Sequence, residues 1–344
     1  MKLIEYKSSL AFNIKIKRTH FKPPQTIHMK DQQHTSCECI IQLRDLKHII
    51  IGTFDEHINC YNNISFKYIN HYIGHRLGTK SLLEITDYPL SSSSSPSMHM
   101  HILIAGGYNS ISFYNINTTS LSIEPYYTIP NAHNNWVTCL IYNHNKDIIV
   151  SASKDKTIRF WKNCIPSSST NDTVIPIQIL SIHNQPVYSL LFLYPHQNIL
   201  VSGASDQRLR FSAEVSTVFD VVGTIHYKYS FFSSVVQVNE KEIAVNSWSS
   251  RVLIYNVDRY ELEREINVDA IVVNCICQIK KDLIVVGCKS GKCMVVDIEK
   301  KSVVNVIKCS DDNNFYETTK IISVNNNENI LICGNNNIIY VINC

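Results

Sequence analysis

Short apolar runs and polar turns follow one another along the chain, and the same order recurs seven times. Each repeat has an apolar run, such as IIVSAS at 148–153 or LIVVGC at 283–288, then a polar turn, then a run in which apolar and polar residues alternate. Alternation with a period of two is typical of a β-strand, and no stretch has the 3.6-residue period of a helix. The alternating runs end at Tyr61, Tyr114, Trp161, Ser212, Tyr255, Val296 and Val341.

The spacing of these repeats predicts the architecture. Successive repeats lie 41 to 53 residues apart, close to the roughly 40–45 residues of a four-stranded propeller blade. One such sheet cannot bury both of its faces, but seven sheets arranged radially pack face to face. We therefore predict an all-β chain that forms a seven-bladed β-propeller of four-stranded antiparallel blades, as a single domain over residues 1–344.

The last repeat ends at Cys344 with its third strand, so its blade needs a fourth strand from elsewhere. We expect an N-terminal strand, from residues 10–17 (LAFNIKIK) or 2–6 (KLIEY), to complete it, because an unpaired edge is costly to leave open.

Two serine-rich inserts interrupt the repeats, at 88–100 and 163–176, and both are expected to be flexible. The repeat order places the first between the first two strands of blade two and the second between the last two strands of blade three. In an antiparallel blade both connections leave the disc on the same side, so the opposite side is left clear for a partner.

One repeat carries a distinctive set of polar residues. In AHNNWVTCLIYNHNKDIIVSASKDKTIRFWK, residues 132–162, His133 precedes Asp155 by 22 residues, Ser151 lies on the second strand and Trp161 ends the third. This repeat resembles those of the WD-repeat β-propeller family, with Ala132–His133 in the place of Gly–His. The resemblance implies that His133, Ser151, Asp155 and Trp161 form a buried structural relay of hydrogen bonds. A catalytic triad is the less favoured interpretation, because a nucleophile needs an exposed position near a base and an oxyanion site.

The resemblance weakens in the other repeats. Repeat four keeps His183, Ser202 and Asp206 but has Ser212 where the tryptophan is expected. Repeats two, five, six and seven have, at the aspartate position, Asn109, Ser249, Ser290 and Asn335.

The resemblance also implies a binding surface. In the family, the residue before the turn aspartate projects onto the narrower face of the disc. We assign to this position Phe54, Tyr108, Lys154, Gln207, Trp248, Lys289 and Gly334. Trp136, on the loop entering blade three, is expected on the same face. Rigid aromatic rings beside cations are typical of binding hot spots. The predicted contacts for protein or peptide partners are Phe54, Tyr108, Trp136, Lys154, Trp248 and Lys289. Alternatively, the rings pack on neighbouring loops or line the channel, and Trp248 is a displaced blade tryptophan.

Composition narrows the class of protein. The chain has 344 residues, of which 44% are hydrophobic and 18% charged, and its net charge of +3 is too small to indicate a nucleic-acid or membrane-surface partner. No signal-peptide-like stretch begins the chain, and no run approaches 18 apolar residues. The 12 cysteines, several of them inside apolar runs, are typical of reduced thiols. The expected location is the cytoplasm or the nucleus.

Cofactor chemistry is not indicated. The close cysteine pairs Cys37/Cys39 and Cys275/Cys277 occupy alternate strand positions, whereas zinc knuckles have Cys-x2–4-Cys spacing. No glycine-rich phosphate loop is present. We predict no metal, no cofactor and no enzymatic activity, but a scaffold or adaptor that is a subunit of a larger complex.

Two alternative functions stay open. One is a propeller that binds anionic lipid or RNA, and the other is a hydrolase that uses the channel mouth. The basic residues available for the first are Arg159, Arg208, Arg210 and Arg251.

Overall fold

The structure is a computed structural model. It describes residues 25–28, 36–45, 47–89, 99–116, 123–162, 164, 174–195, 198–228, 231–268, 270, 272–308, 318–324, 329–334 and 338–343. These residues form strands, turns and loops, and they contain no helix that is long and apolar enough to cross a membrane.

The strands form seven four-stranded antiparallel sheets, which are the blades of a β-propeller. Blade one contains β2 (Cys37–Gln42), β3 (His48–Thr53), β4 (His57–Asn62) and β5 (Tyr68–Ile73). Blade two contains β6 (Ser81–Pro89), β7 (His99–Gly106), β8 (Ile111–Asn115) and β9 (Tyr127–Ile129). Blade three contains β10 (Val137–Asn143), β11 (Ile148–Ser153), β12 (Ile158–Lys162) and β13 (Gln178–Leu180). Blade four contains β14 (Val187–Phe192), β15 (Ile199–Ala204), β16 (Arg208–Val215) and β17 (Val218–His226).

The remaining blades follow the same order. Blade five contains β18 (Val235–Asn239), β19 (Glu242–Asn246), β20 (Arg251–Asn256) and β21 (Glu261–Asn267). Blade six contains β22 (Val273–Lys280), β23 (Leu283–Cys288), β24 (Lys292–Asp297) and β25 (Ser302–Lys308). Blade seven contains β26 (Thr318–Val324), β27 (Asn329–Gly334), β28 (Ile338–Asn343) and β1 (Gln25–His28). The predicted all-β, seven-bladed fold is confirmed.

Each blade runs from the centre of the disc outward. The first strands of neighbouring blades contact one another: β22 contacts β26, and β6 contacts β10. These first strands therefore surround the centre of the disc. All six residues of the second strand β11 are buried, whereas the outermost strand β21 is mostly exposed. The hydrophobic residues of the second and third strands therefore supply the core.

The core lies between the blades. Ile149 and Trp161 of blade three, for example, pack against Ile104 and Phe113 of blade two, and a similar cluster lies at each of the other blade–blade seams. Burying one such side chain stabilises the fold by about 1.5–3 kcal/mol. Contacts between blades thus hold the disc together and give its loops a fixed base.

Blade seven is completed by an N-terminal strand, as predicted. β1 pairs antiparallel with β28, with Gln25 opposite Val341 and His28 opposite Ile338. The closing strand is Gln25–His28 and not either of the predicted stretches, 10–17 and 2–6, which lie outside the described residues. An outermost strand needs few apolar residues because one of its edges and much of its surface face solvent, so the more apolar stretches were the wrong choice.

The connections between strands define two sides of the disc. We call one side the hairpin face, because it carries the turns between second and third strands and the connections between blades; the other side is the insert face. The first serine-rich insert lies between β6 and β7 and the second between β12 and β13, so both are on the insert face. Residues 88–89 and 99–100 belong to β6 and β7, and the first insert is therefore shorter than predicted. Residues 90–98, 163 and 165–173 lie outside the described residues, so their predicted flexibility stays a prediction.

Candidate functional site

A buried chain of hydrogen bonds links the four polar residues that stand out in blade three. His133 Nδ1 lies 2.9 Å from Asp155 Oδ2, and His133 Nε2 lies 2.7 Å from Ser151 Oγ. The Trp161 indole N–H donates to the same Ser151 oxygen at 2.8 Å. The structure therefore brings His133, Ser151, Asp155 and Trp161 together as one connected set, the blade-three relay.

The electrostatics of the relay follow from its burial. Burial alone would raise the pKa of Asp155, but hydrogen bonds from His133, Thr157 and the backbone amide of Asn134 hold it well below its usual value. Burial lowers the pKa of His133, so the imidazole is neutral. A neutral ring that donates from Nδ1 to Asp155 accepts a hydrogen bond from the Ser151 hydroxyl group at Nε2.

Ser151 is not placed as a nucleophile. Its side chain is buried, and its oxygen is already engaged by both the histidine and the indole. A substrate has no access to this oxygen, so the relay joins the second and third strands to the loop entering the blade.

Blade four has a relay of different composition. His183 Nε2 lies 2.8 Å from Ser202 Oγ, and His183 Nδ1 lies 3.0 Å from Asp206 Oδ2. Ser212 replaces the tryptophan, and Arg210 Nη1 donates to Asp206 at 2.7 Å. Burial would raise the pKa of Asp206, yet His183 and Arg210 hold it well below its usual value. The buried cation thus joins the relay at the aspartate, whereas the indole of blade three joins it at the serine.

Blades one and two retain only fragments of this set. In blade two, His75 contacts Ser110 Oγ and the Ala105 carbonyl oxygen, each at 3.0 Å. In blade one, Thr53 donates its hydroxyl proton to Asp55. The fully connected form is therefore confined to blades three and four among the described residues.

Three of the predicted contact residues form an aromatic cluster on the hairpin face. The rings of Phe54 and Trp136 stack with centroids 6.1 Å apart, and Tyr108 meets Trp136 edge-on at 5.6 Å. Lys80 Nζ lies 5.1 Å from the Phe54 centroid and 5.3 Å from that of Trp136, and its ammonium also pairs with Glu38 at 2.6 Å. Phe54 and Tyr108 remain 51% and 41% exposed. The rings pack on neighbouring loops and still face solvent, and their role as partner contacts stays a prediction. We call Phe54, Lys80, Tyr108 and Trp136 cluster one.

Lys154 lies beside cluster one. Its backbone amide donates to the Trp136 carbonyl at 3.0 Å. Burial and the nearby Lys80 charge lower the pKa of Lys154, while Glu38 opposes them. Two lysines and one carboxylate thus share this part of the face.

A second cluster lies across the disc in blades four to six. Trp248 packs against Phe231 at 4.2 Å, Phe231 packs against Tyr188 at 6.0 Å, and Lys289 Nζ lies 5.6 Å from the Trp248 centroid. Trp248 is in the turn between β19 and β20 and is 43% exposed, whereas Tyr255 fills the buried position at the end of the third strand. Trp248 is therefore not a displaced blade tryptophan. We call Tyr188, Phe231, Trp248 and Lys289 cluster two.

Two of the assigned loop positions need correction. Ser205, and not Gln207, precedes Asp206 and occupies the position equivalent to Lys154; Gln207 follows the aspartate and has a left-handed backbone with φ of 64°. Gly334 is the last residue of β27, and residues 335–337 lie outside the described residues. Ser205 can be read directly from its place before Asp206, whereas the turn of blade seven has no aspartate from which to count.

Sequence reasoning missed Lys80 and Phe231. Both lie in connections between blades, as Trp136 does. A search for large or charged residues shortly before each first strand would have found them.

Eight of the ten described cysteines are buried, and Cys139 and Cys277 are half-buried. Burial raises the pKa of Cys275 to about 12 and that of Cys39 well above its usual value, so both stay protonated. Among the described residues, no three His, Cys, Asp or Glu side chains come close enough to hold a metal ion.

Comparison with known proteins identifies one repeat directly. The family model described as "WD domain, G-beta repeat" matches residues 123–162, the segment that contains the blade-three relay. The "EARP and GARP complex-interacting protein 1" of Rattus norvegicus is 30% identical over 96 residues, and that of Homo sapiens is 29% identical over 96 residues. The matched stretch covers 28% of this chain and only 23% of each relative.

Proposed function

We propose that this chain, which belongs to the WD-repeat β-propeller family, is a non-enzymatic scaffold that binds protein or peptide partners on its hairpin face. In this proposal residues 1–344 act as a single domain, located in the cytoplasm or the nucleus, and the chain is a subunit of a larger complex.

The observation that carries this proposal is the pair of aromatic clusters. Clusters one and two each present three rings and a lysine, and they rest on loops anchored in buried strands. Aromatic rings bury much area with little loss of side-chain entropy, and a rigid platform has little ordering cost on association. The described ends of both serine-rich inserts are on the insert face, opposite these rings.

The named relatives support the same class of function. Their name describes a protein that interacts with the EARP and GARP complexes. We propose by analogy that the partner of this chain is also a multisubunit protein complex.

The arginines considered for lipid or RNA binding support that alternative poorly. Arg210 pairs with Asp206 inside blade four, Arg159 lies 3.8 Å from Asp155, and Arg251 pairs with Glu265 at 2.5 Å. A paired arginine has less charge to offer a phosphate, so a basic rim is not formed by these residues.

The test is capture of partners by the full chain from a native lysate, with quantitative mass spectrometry. The double variant Tyr108→Ala/Trp136→Ala should lose most captured partners while its thermal unfolding midpoint stays close to that of the parent. Tyr126→Ala is the matched control, because this exposed tyrosine lies towards the insert face and should keep every partner. Retention of all partners by the double variant contradicts the proposed face.

A further inference from the structure

One lysine is exposed on the innermost strand of blade seven. Lys320 lies in β26, a first strand that contacts the first strands β22 and β2 of the two neighbouring blades. A side chain on such a strand reaches solvent only through the central channel, the space that the first strands enclose, or at a strand end. Lys320 is opposite Cys333, next to the hairpin-face end of the sheet. Its exposed side chain is therefore directed into the channel near the hairpin-face mouth.

Three thiols on other blades support this position of the Lys320 ammonium group. Burial raises the pKa values of Cys39, Cys139 and Cys275, and the positive charge of Lys320 acts against this rise in all three. The three thiols belong to blades one, three and six. A charge that acts on thiols of three separate blades lies between those blades, inside the channel.

The positions equivalent to Lys320 in four other blades carry short side chains. Each lies just after the irregularity in its first strand and is opposite a second-strand residue near the hairpin face; they are Cys39, Cys139, Ser189 and Cys275. These residues are buried or half-buried, whereas Lys320 is exposed. One long cationic side chain thus stands in a part of the channel that solvent reaches.

The charge of Lys320 is not offset within the part of the chain that the structure describes. The lysines that form ion pairs there are Lys80, Lys146 and Lys300. Among the first-strand carboxylates, Glu38 pairs with Lys80 at 2.6 Å, and Glu84 accepts the Arg44 backbone amide of an insert-face turn at 2.9 Å. Asp87 lies beyond Glu84 on β6, further from the hairpin face. An unpaired charge between walls of low dielectric concentrates its field at the mouth and attracts an anion.

The two aromatic clusters indicate where that anion comes from. One hydrated ammonium group holds a free ion only weakly, but a partner held by other contacts presents its own carboxylate at a high effective concentration. Cluster one is centred on blade two and cluster two on blade five, which are nearly opposite in a ring of seven blades. A segment that contacts both clusters therefore crosses the mouth of the channel, where Lys320 lies.

We propose that Lys320 receives an acidic side chain of the partner, which enters the channel from the hairpin face while the residues on either side of it contact clusters one and two. This inference rests on the proposed function and specifies the central contact of the partner. The partner segment is extended, with an aspartate or glutamate between two apolar parts.

The test is selection of peptides from a random library on the full chain at low salt. Peptides of about 15 residues extend to about 50 Å, which is enough to cross the mouth. The parent is expected to enrich peptides with an aspartate or glutamate between apolar residues. Lys320→Gln should lose the acidic preference, Lys320→Arg should keep it, and Lys320→Glu should select lysine or arginine in its place.

A peptide selected on the parent then gives the size of the effect, by fluorescence anisotropy. Lys320→Gln should raise its Kd about tenfold, as loss of one charge-assisted hydrogen bond does, and added salt should weaken binding to the parent more than to this variant. The thermal unfolding midpoint should not change, because the side chain is exposed. Lys162→Gln, at an exposed lysine on the insert-face end of β12, is the matched control and should leave the Kd unchanged.

Three results would each overturn the inference: no acidic preference on the parent, the same preference on Lys320→Gln and Lys320→Glu, or a Kd that Lys320→Gln leaves unchanged. If Tyr108→Ala/Trp136→Ala loses the selected peptides but these show no acidic preference, the hairpin face stands and the Lys320 contact fails. If the double variant keeps both the selected peptides and the native partners, the proposed function fails as well.

Discussion

The Trp161 indole N–H donates to Ser151 Oγ at 2.8 Å across the hairpin of β11 and β12, and both side chains are buried. The same oxygen lies 2.7 Å from the His133 ring. One hydroxyl group therefore joins the indole of the third strand to the loop that enters the blade.

Ser151→Ala should lower the free energy of unfolding by about 1–3 kcal/mol, because the substitution leaves the buried indole N–H and the imidazole nitrogen without a partner. Urea denaturation followed by tryptophan fluorescence measures the change. Ser181→Ala, at an exposed serine before blade four, is the control and should stay within about 0.5 kcal/mol. Equal stability of the two variants would show that the relay does not stabilise the blade.

Arg210→Met should destabilise the protein far more than Arg251→Met, although both remove an arginine from an ion pair. Arg210 and Asp206 are buried, so the substitution leaves a carboxylate with fewer donors inside the protein, at a cost of about 3–5 kcal/mol. The pair of Arg251 and Glu265 is largely exposed, so solvent screens it and its loss should change the free energy of unfolding little. Chemical denaturation of both variants measures the two losses of unfolding free energy. Similar losses would contradict a larger contribution of the buried Arg210 pair to stability.

Acidification should lower stability in two steps. The pKa values of His133 and His183 are lowered by burial, so the unfolded chain binds protons more readily than the folded one once the pH falls below the ordinary histidine value of 6.5. The pKa values of Asp155 and Asp206 are also held low, and their contribution is present above the ordinary aspartate value of 3.8 and is lost as the pH falls below it. Urea midpoints measured from neutral pH downward should fall first in the histidine range and again in the aspartate range. His133→Gln/His183→Gln should remove most of the first step. An unchanged first step would contradict its assignment to these two histidines.

The closing strand should be needed for a stable disc. A deletion of residues 1–28 removes β1 and leaves the edge of β28 unpaired, so we expect a lower thermal midpoint and more aggregation. A deletion of residues 1–24 retains β1 and is the matched control. Light scattering during a thermal ramp compares the two, and identical behaviour would show that β1 does not stabilise the ring.

The repeat spacing predicted the number and type of blades because second and third strands are buried on both sides and must be apolar in every repeat. The closing strand could not be located from hydropathy, since Gln25–His28 lies at the outer edge, where polar residues are tolerated. The sequence motif also predicted the members of the blade-three relay. It did not predict that Arg210 joins the blade-four relay, because an arginine on a strand is more commonly solvated.

The sequence predicts the aromatic members of cluster one but not its lysine. Phe54 and Tyr108 follow from the position before the turn aspartate, but Lys80 is distant from both in the sequence and reaches their neighbourhood through the connection between blades one and two. A contact between residues on separate loops depends on the curvature of the whole disc, which no local pattern encodes.

The hydrogen-bonded partners β1 and β28 also set an order of events during synthesis. The strand that leaves the ribosome early must wait without its partner until the last strand of the described chain has been made, while the intervening blades can already stack on one another. The pairing of β1 with β28 is therefore a long-range contact that cannot form before β28 has been synthesised.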